Sequence, residues 1–181
     1  RDSSGDTVQV QVTSGRTTVA GNAVSPNIYG GATANAVDSG VYGAVIAGGG
    51  TTASGEWGTG TRLNVVQSGA HFSAIGGGLY NTQGGRYATI GGGASNTIAS
   101  SGYWGTIGGG GSNSISQAYG VVAGGYGNAS QNGGAMLGGV QNAARAQYSA
   151  NVAGYRNEVD NDASYAAILG GYCNTAGTGN A

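Results

Sequence analysis

From about residue 39 to the end, short alternating stretches of apolar and polar residues are separated by glycine clusters. Tyr87-Ala88-Thr89-Ile90 carries β-favouring residues and is cut by Gly91-Gly92-Gly93. Asn96-Thr97-Ile98-Ala99 follows and ends in Ser100-Ser101-Gly102. Two strands of four or five residues plus two turns account for a unit of about 15 residues. The unit repeats. Gly-x-x-Asn recurs with its asparagines at 81, 96, 113, 128, 142, 157 and 174, spaced 15, 17, 15, 14, 15 and 17 residues apart. No 3.6-residue period accompanies it, so the region is predicted to be strand and turn without helix.

Alignment on the asparagines exposes columns. Six residues before each stand Ile75, Ile90, Ile107, Val122, Met136, Asn151 and Ile168, flanked two residues away on either side by small residues. Period-two geometry places these three columns on one strand face, which predicts a thin interior one isoleucine deep. Nine residues before each asparagine come Phe72, Tyr87, Trp104, Tyr119, Gly133, Tyr148 and Tyr165. Steps of 15 further back reach Trp57 and Tyr42, giving about nine coils from Tyr42 onward. This aromatic column reads as structural, stacking coil on coil or packing between chains. One coil cannot bury enough to offset its ordering entropy, whereas nine stacked at about 4.8 Å make a rod roughly 43 Å long. The extra residues of the two 17-residue intervals are expected as surface loops near Ile98–Tyr103 and Glu158–Ser164, because inserting them in a strand would flip its faces.

Residues 1–38 break this pattern. Thr7-Val8-Gln9-Val10-Gln11-Val12 alternates cleanly, and Arg16-Thr17-Thr18-Val19 is placed to return as a partner strand. The segment reads as an N-terminal β cap or connector over the first strand edge, ahead of a β-roll repeat domain at 39–181. The opening at Arg1 without a signal-peptide pattern reads as a fragment or processed piece.

Composition narrows the classes. Glycine supplies 41 of 181 residues, and four leucines and one phenylalanine cannot build an ordinary layered core. Disorder goes with high net charge, and here the formal charge is −1. One proline and no triplet glycine period exclude collagen. No apolar run approaches ~18 residues and no basic footprint exists, so neither membrane insertion nor nucleic-acid binding is expected. With so little apolar surface, a closed homo-oligomer is expected.

Candidate chemistry is sparse. A phosphate-cradling Walker loop needs a lysine, and the chain has none. His71 and Cys173 each stand alone, which leaves no histidine metal cluster and no intrachain disulfide. No catalytic, cofactor or metal site is assigned, and the protein is read as a non-enzyme. The acid cluster Glu158-Val159-Asp160-Asn161-Asp162 reads as a solvated loop, with weak cation binding as the alternative. Tyr80, Tyr126, Tyr155 and Tyr172 fall inside the Gly-x-x-Asn turns, where they are expected to face solvent. With Arg156, Asp160 and Asp162 they form the candidate receptor-contact set. The asparagine column reads chiefly as turn chemistry, since asparagine tolerates left-handed backbone and bonds to its own loop.

The segments YATIGGGASNTIASS, HFSAIGGGLYNTQGG and GGYCNTAGTGNA resemble the head repeats of trimeric autotransporter adhesins and the similar coils of bacteriophage tail-fibre proteins. The resemblance covers residues 39–181 and implies a left-handed parallel β-roll in a homotrimer whose task is surface attachment. The triple-glycine form looks nearer to the phage-type coils, and a free thiol suits a virion protein assembled in the cytoplasm. The expectation is a homotrimeric tail fibre of a virion that binds a host-cell receptor or glycan. Alternatives are an adhesin head on the bacterial outer surface, a polysaccharide-degrading tailspike, and a spacer that binds nothing.

Overall fold

The computed structural model describes residues 10–12, 15–20, 25–52 and 60–177, and among them every regular element is a β-strand. The chain alternates between two sheets. The first has eleven strands, beginning with Val10–Val12, Gly15–Ala20 and Asn27–Tyr29 and continuing through Val45–Ile46, Ala74–Ile75, Thr89–Ile90 and Thr106–Ile107 to Ala167–Ile168. The second has nine, from Ala36–Val37 and Val65–Val66 to Thr175–Ala176. Each turn of chain gives one strand to each sheet. Neighbouring turns pair in parallel and in constant register, as in Thr89↔Thr106 and Thr97↔Ser114. The result is a parallel β-solenoid of nine turns.

The number of turns is as the spacing predicts, but they are divided differently. The first turn is Asn27–Val37, whose strands pair in parallel with Val45–Ile46 and Val65–Val66. Val45 pairs directly with Ala74, so no separate turn exists between them. Between Ile46 and Val65 the described residues form the antiparallel bridge Thr51–Arg62. Trp57 lies outside the described residues. Ahead of the first turn, Val10–Val12 pairs antiparallel with Gly15–Ala20, which pairs antiparallel with Asn27–Tyr29. This hairpin extends the first sheet beyond the stack. Thr7–Gln9 of the alternating segment lie outside the described residues.

The interior is as thin as the columns predict. Ile46, Ile75, Ile90, Ile107, Val122 and Met136 from the first sheet face Val66, Ile98, Ile115 and Val159 from the second, all with no more than 1% exposure. Gln83, Ser130 and Asn151 interrupt the apolar columns. Asn151 donates from Nδ2 to the Asn157 carbonyl at 2.8 Å, so a polar side chain in the isoleucine column is partly satisfied.

A buried asparagine ladder runs beside this core. Asn35, Asn64, Asn81, Asn96, Asn113, Asn128, Asn142 and Asn157 are at most 4% exposed. Each Oδ1 accepts the backbone N–H of the asparagine one turn on, at 2.9–3.1 Å from Asn64 to Asn174. Each Nδ2 ties two carbonyls. That of Asn113, for example, donates to Gly109 at 2.9 Å and to Gly125 of the next turn at 3.0 Å. The asparagines are therefore interior cross-links; they bond to their own loop as expected, but they are not themselves left-handed residues. The left-handed residue is the one before, such as Ser95 at φ 59° or Ser112 at φ 55°. The glycine of the motif is needed twice over. At Gly93 φ is 87°, and a Cβ there would lie 2.0 Å from the Gly110 carbonyl oxygen of the next turn.

The variable spacing is absorbed at one corner, between the second sheet and the first. Seven residues lie between Ile98 and Thr106 and between Val159 and Ala167, against five between Ile115 and Val121. The extra residues form an added surface turn while both strand registers persist, as expected for the two 17-residue intervals.

Two substitutions test this account. Ile107→Asp is expected to abolish the β-sheet circular dichroism signal by burying an unpaired charge, whereas Thr97→Asp, exposed on a strand of the second sheet, leaves it intact. Asn113→Leu removes three hydrogen bonds and leaves two part-buried carbonyls without this donor, so chemical denaturation is expected to show a loss of about 1–3 kcal/mol.

Candidate functional site

The corner that joins the second sheet to the first carries the aromatic column. Phe72, Tyr87, Trp104, Tyr119, Tyr148 and Tyr165 all adopt left-handed backbone, with φ between 53° and 65°. A bulky residue in this region costs roughly 1–2 kcal/mol, so six in one column need compensation. Backbone bonds supply part of it. Tyr87 N–H donates to His71 at 3.1 Å, Trp104 to Arg86 at 3.0 Å and Tyr119 to Tyr103 at 2.9 Å, one turn to the next. Ring stacking supplies the rest. Phe72 and Tyr87 lie 5.7 Å apart at 2°, Tyr87 and Trp104 5.6 Å at 19°, Trp104 and Tyr119 5.2 Å at 1°. Each such pair contributes about 0.5–1.5 kcal/mol. Even so, the rings are between 45% and 75% exposed, which leaves a continuous aromatic ridge facing solvent.

The ridge is broken once. Gly133 occupies the column position at φ 74°, between Tyr119 and Tyr148, and the stack resumes with Tyr148–Tyr165 at 5.7 Å and 32°. A cleft of about 190 Å³ opens there, lined by Gln117, Ala118, Tyr119, Asn132, Gly133, Gln147 and Tyr148. At the other end of the ridge, Tyr42 is one residue out of the column. Gly43 stands level with Phe72, and Tyr42 stacks on His71 at 3.9 Å and 19°.

The turn tyrosines occupy the opposite corner. Tyr126, Tyr155 and Tyr172 share one column of parallel bridges, with Val140 between the first two. Tyr155 and Tyr172 stack at 5.4 Å and 16°, and the Arg156 guanidinium lies 4.9 Å from the Tyr155 ring centre. Arg156 also donates from Nε to Gln141 Oε1 at 2.9 Å. Tyr80 sits one position later in its turn, at φ 57°, beneath Arg62 at 5.6 Å. The candidate contact set is thus partly assembled. Tyr155, Arg156 and Tyr172 adjoin, whereas Asp160 and Asp162 follow the strand Glu158–Val159 at the aromatic corner. Arg145 pairs with Glu158 and lies 3.9 Å from Asp160, so the acid cluster is engaged by a neighbouring turn. Among the described residues no three His, Cys, Asp or Glu side chains gather as a metal group.

Gln117, Asn132 and Gln147 at the broken rung escape sequence reading. Their spacing of 15 residues is legible, but nothing in the residue types separates them from other surface amides. Only the gap at Gly133 in an otherwise aromatic column points to them.

His71 gives this corner a titratable group. Desolvation first, and then the Arg86 charge, hold its pKa below the ordinary 6.5. The folded protein therefore favours the neutral ring, whose Nδ1 accepts the Tyr42 N–H at 3.4 Å. The resulting stability is fully present above pH 6.5 and is lost as pH falls through the depressed folded value. Melting temperature is expected to decline over that interval, and less steeply in His71→Phe, which keeps the ring and removes the titration.

Comparison with known proteins gives no match: no family model, no curated protein and no solved structure matches this chain.

Proposed function

We propose that the protein is a non-enzymatic attachment fibre, a homotrimer of left-handed solenoids that presents aromatic columns to a host-cell receptor or glycan. The virion tail fibre is the setting that fits best, in line with the resemblance of its repeats. One observation carries the reading. A column of exposed aromatic rings at one corner, and Tyr126, the half-buried Tyr155 and Tyr172 at the opposite corner, are held on a rod that is otherwise nearly uncharged. Rigid aromatic surface binds at low entropic cost, and a scaffold locked by the asparagine ladder loses little further freedom on contact.

The trimer uses a different surface. The outer face of the first sheet carries Ile28, Val45, Ala74, Thr89, Thr106, Val121, Ala135, Ala150 and Ala167, with Leu137 and Leu169 just beyond their strands. No charged side chain stands in these rows. Ile28, Val121, Leu137 and Leu169 are 42%, 39%, 62% and 78% exposed in the single chain. The outer face of the second sheet instead bears the Arg145–Glu158 pair. A flat uncharged strip running along a rod is suited to self-association about a parallel three-fold axis.

Two measurements bear on this. Sedimentation equilibrium is expected to give three chains per particle, and Leu137→Arg to shift it towards monomer with lowered thermal stability. A folded wild-type monomer at micromolar concentration overturns the assembly. The purified protein is expected to compete with intact particles for host-cell adsorption; absence of competition overturns the attachment role.

A further inference from the structure

We infer that the broken rung at Gly133 is a binding cleft for one neutral pyranose ring, seated between the faces of Tyr119 and Tyr148. This deepens the attachment reading and rests on it only for the biological setting, not for the binding itself.

The empty rung is not imposed by backbone conformation. Six other turns place a large aromatic ring at the same left-handed position, so glycine is one choice among residues the site accepts. A second feature coincides with it. The corner between Ser130 and Ala135 holds four residues where that between Ile115 and Val121 holds five, making this the tightest corner of the column. The shortened turn and the missing side chain together recess the surface at one point of the ridge.

Dimensions set the size of the ligand. Successive rings elsewhere in the column stand 5.2–5.7 Å apart, so the empty rung between Tyr119 and Tyr148 has the depth of one ring. A pyranose is a single ring whose C–H faces pack on aromatic faces. The rim agrees. Gln117, Asn132 and Gln147 supply amide donors and acceptors at the edge, where a sugar carries its hydroxyls. Asn132 is held in place by donating from Nδ2 to the Arg145 carbonyl at 3.1 Å, which leaves its Oδ1 to accept from a ligand. No charged side chain lines the cleft, so the fitting sugar is uncharged. A Cβ at Gly133 would stand 3.2 Å from the Tyr148 ring, so any side chain there intrudes on the ligand's place.

The test is saturation-transfer difference NMR of the intact protein with methyl glucoside, galactoside, mannoside and N-acetylglucosaminide, each in turn. At least one is expected to show transfer to its ring C–H protons. Gly133→Tyr restores the ladder and is expected to abolish that signal, because its ring takes the ligand's place, with an unchanged or raised melting temperature. Should Gly133→Tyr not fold, the pair Tyr119→Ala and Tyr148→Ala carries the same expectation. No transfer to any of the four sugars, an undiminished signal in the variants, or binding of p-cresol in place of sugar overturns the cleft. Host-cell adsorption is measured beside it. Sugar binding without adsorption sinks the attachment role and leaves the cleft standing, whereas adsorption without sugar binding does the reverse.

Discussion

The asparagine ladder is the constraint on which the rest depends. Each amide fixes the carbonyl of its own turn's glycine cluster, a carbonyl of the next turn and the N–H of the next asparagine. The amides are buried and the carbonyls they hold are part-buried, so each turn completes its hydrogen bonds only when its neighbour is present. Stability is thus a property of the stack and not of the turn. The thin isoleucine interior agrees, because one or two branched side chains per turn cannot offset the ordering of about 15 residues.

The ladder also explains why the glycines are where they are. Carbonyls held this close leave no space for a Cβ in the motif glycine column, where the contact would be 2.0 Å at Gly93 and 2.1 Å at Gly110. Glycine content in this protein reflects close approach between turns rather than flexibility. At the opposite corner the same constraint has another outcome. The left-handed position there points its side chain outward, and the turn-to-turn spacing lets rings stack, so aromatic residues offset a conformation they otherwise avoid. Strain and stacking are comparable in size, about 1 kcal/mol each, which is why the column can lose one ring at Gly133 without losing its path.

Charge and apolarity are distributed by face. The Arg145–Glu158 pair lies on the second sheet and Asp160 at a corner, while the outer rows of the first sheet from Val45 to Ala167 carry small, uncharged residues.

Much of this was legible in the sequence, because period is a local property. The 15-residue unit, its two short strands, the buried column from Ile75 to Ile168 and the turn that absorbs two extra residues all follow from side-chain alternation and register, which stacking preserves. Tertiary structure alone decided what depends on neighbours in space. The asparagines looked like turn residues because their ladder partners lie one turn away, and Asn35 and Asn64 joined the ladder although insertions break their spacing from the motif glycine. Trp57 matched the period by count, yet Val45 pairs with Ala74 and closes the stack without it. Tyr42 fell one residue out of register for the same reason. Asp160 and Asp162 looked adjacent to Tyr155 and Arg156 in sequence, but an intervening strand carries them to the other corner. Sequence distance along a coiled chain fixes the position within a turn. Which groups meet is set by what lies in the turns above and below.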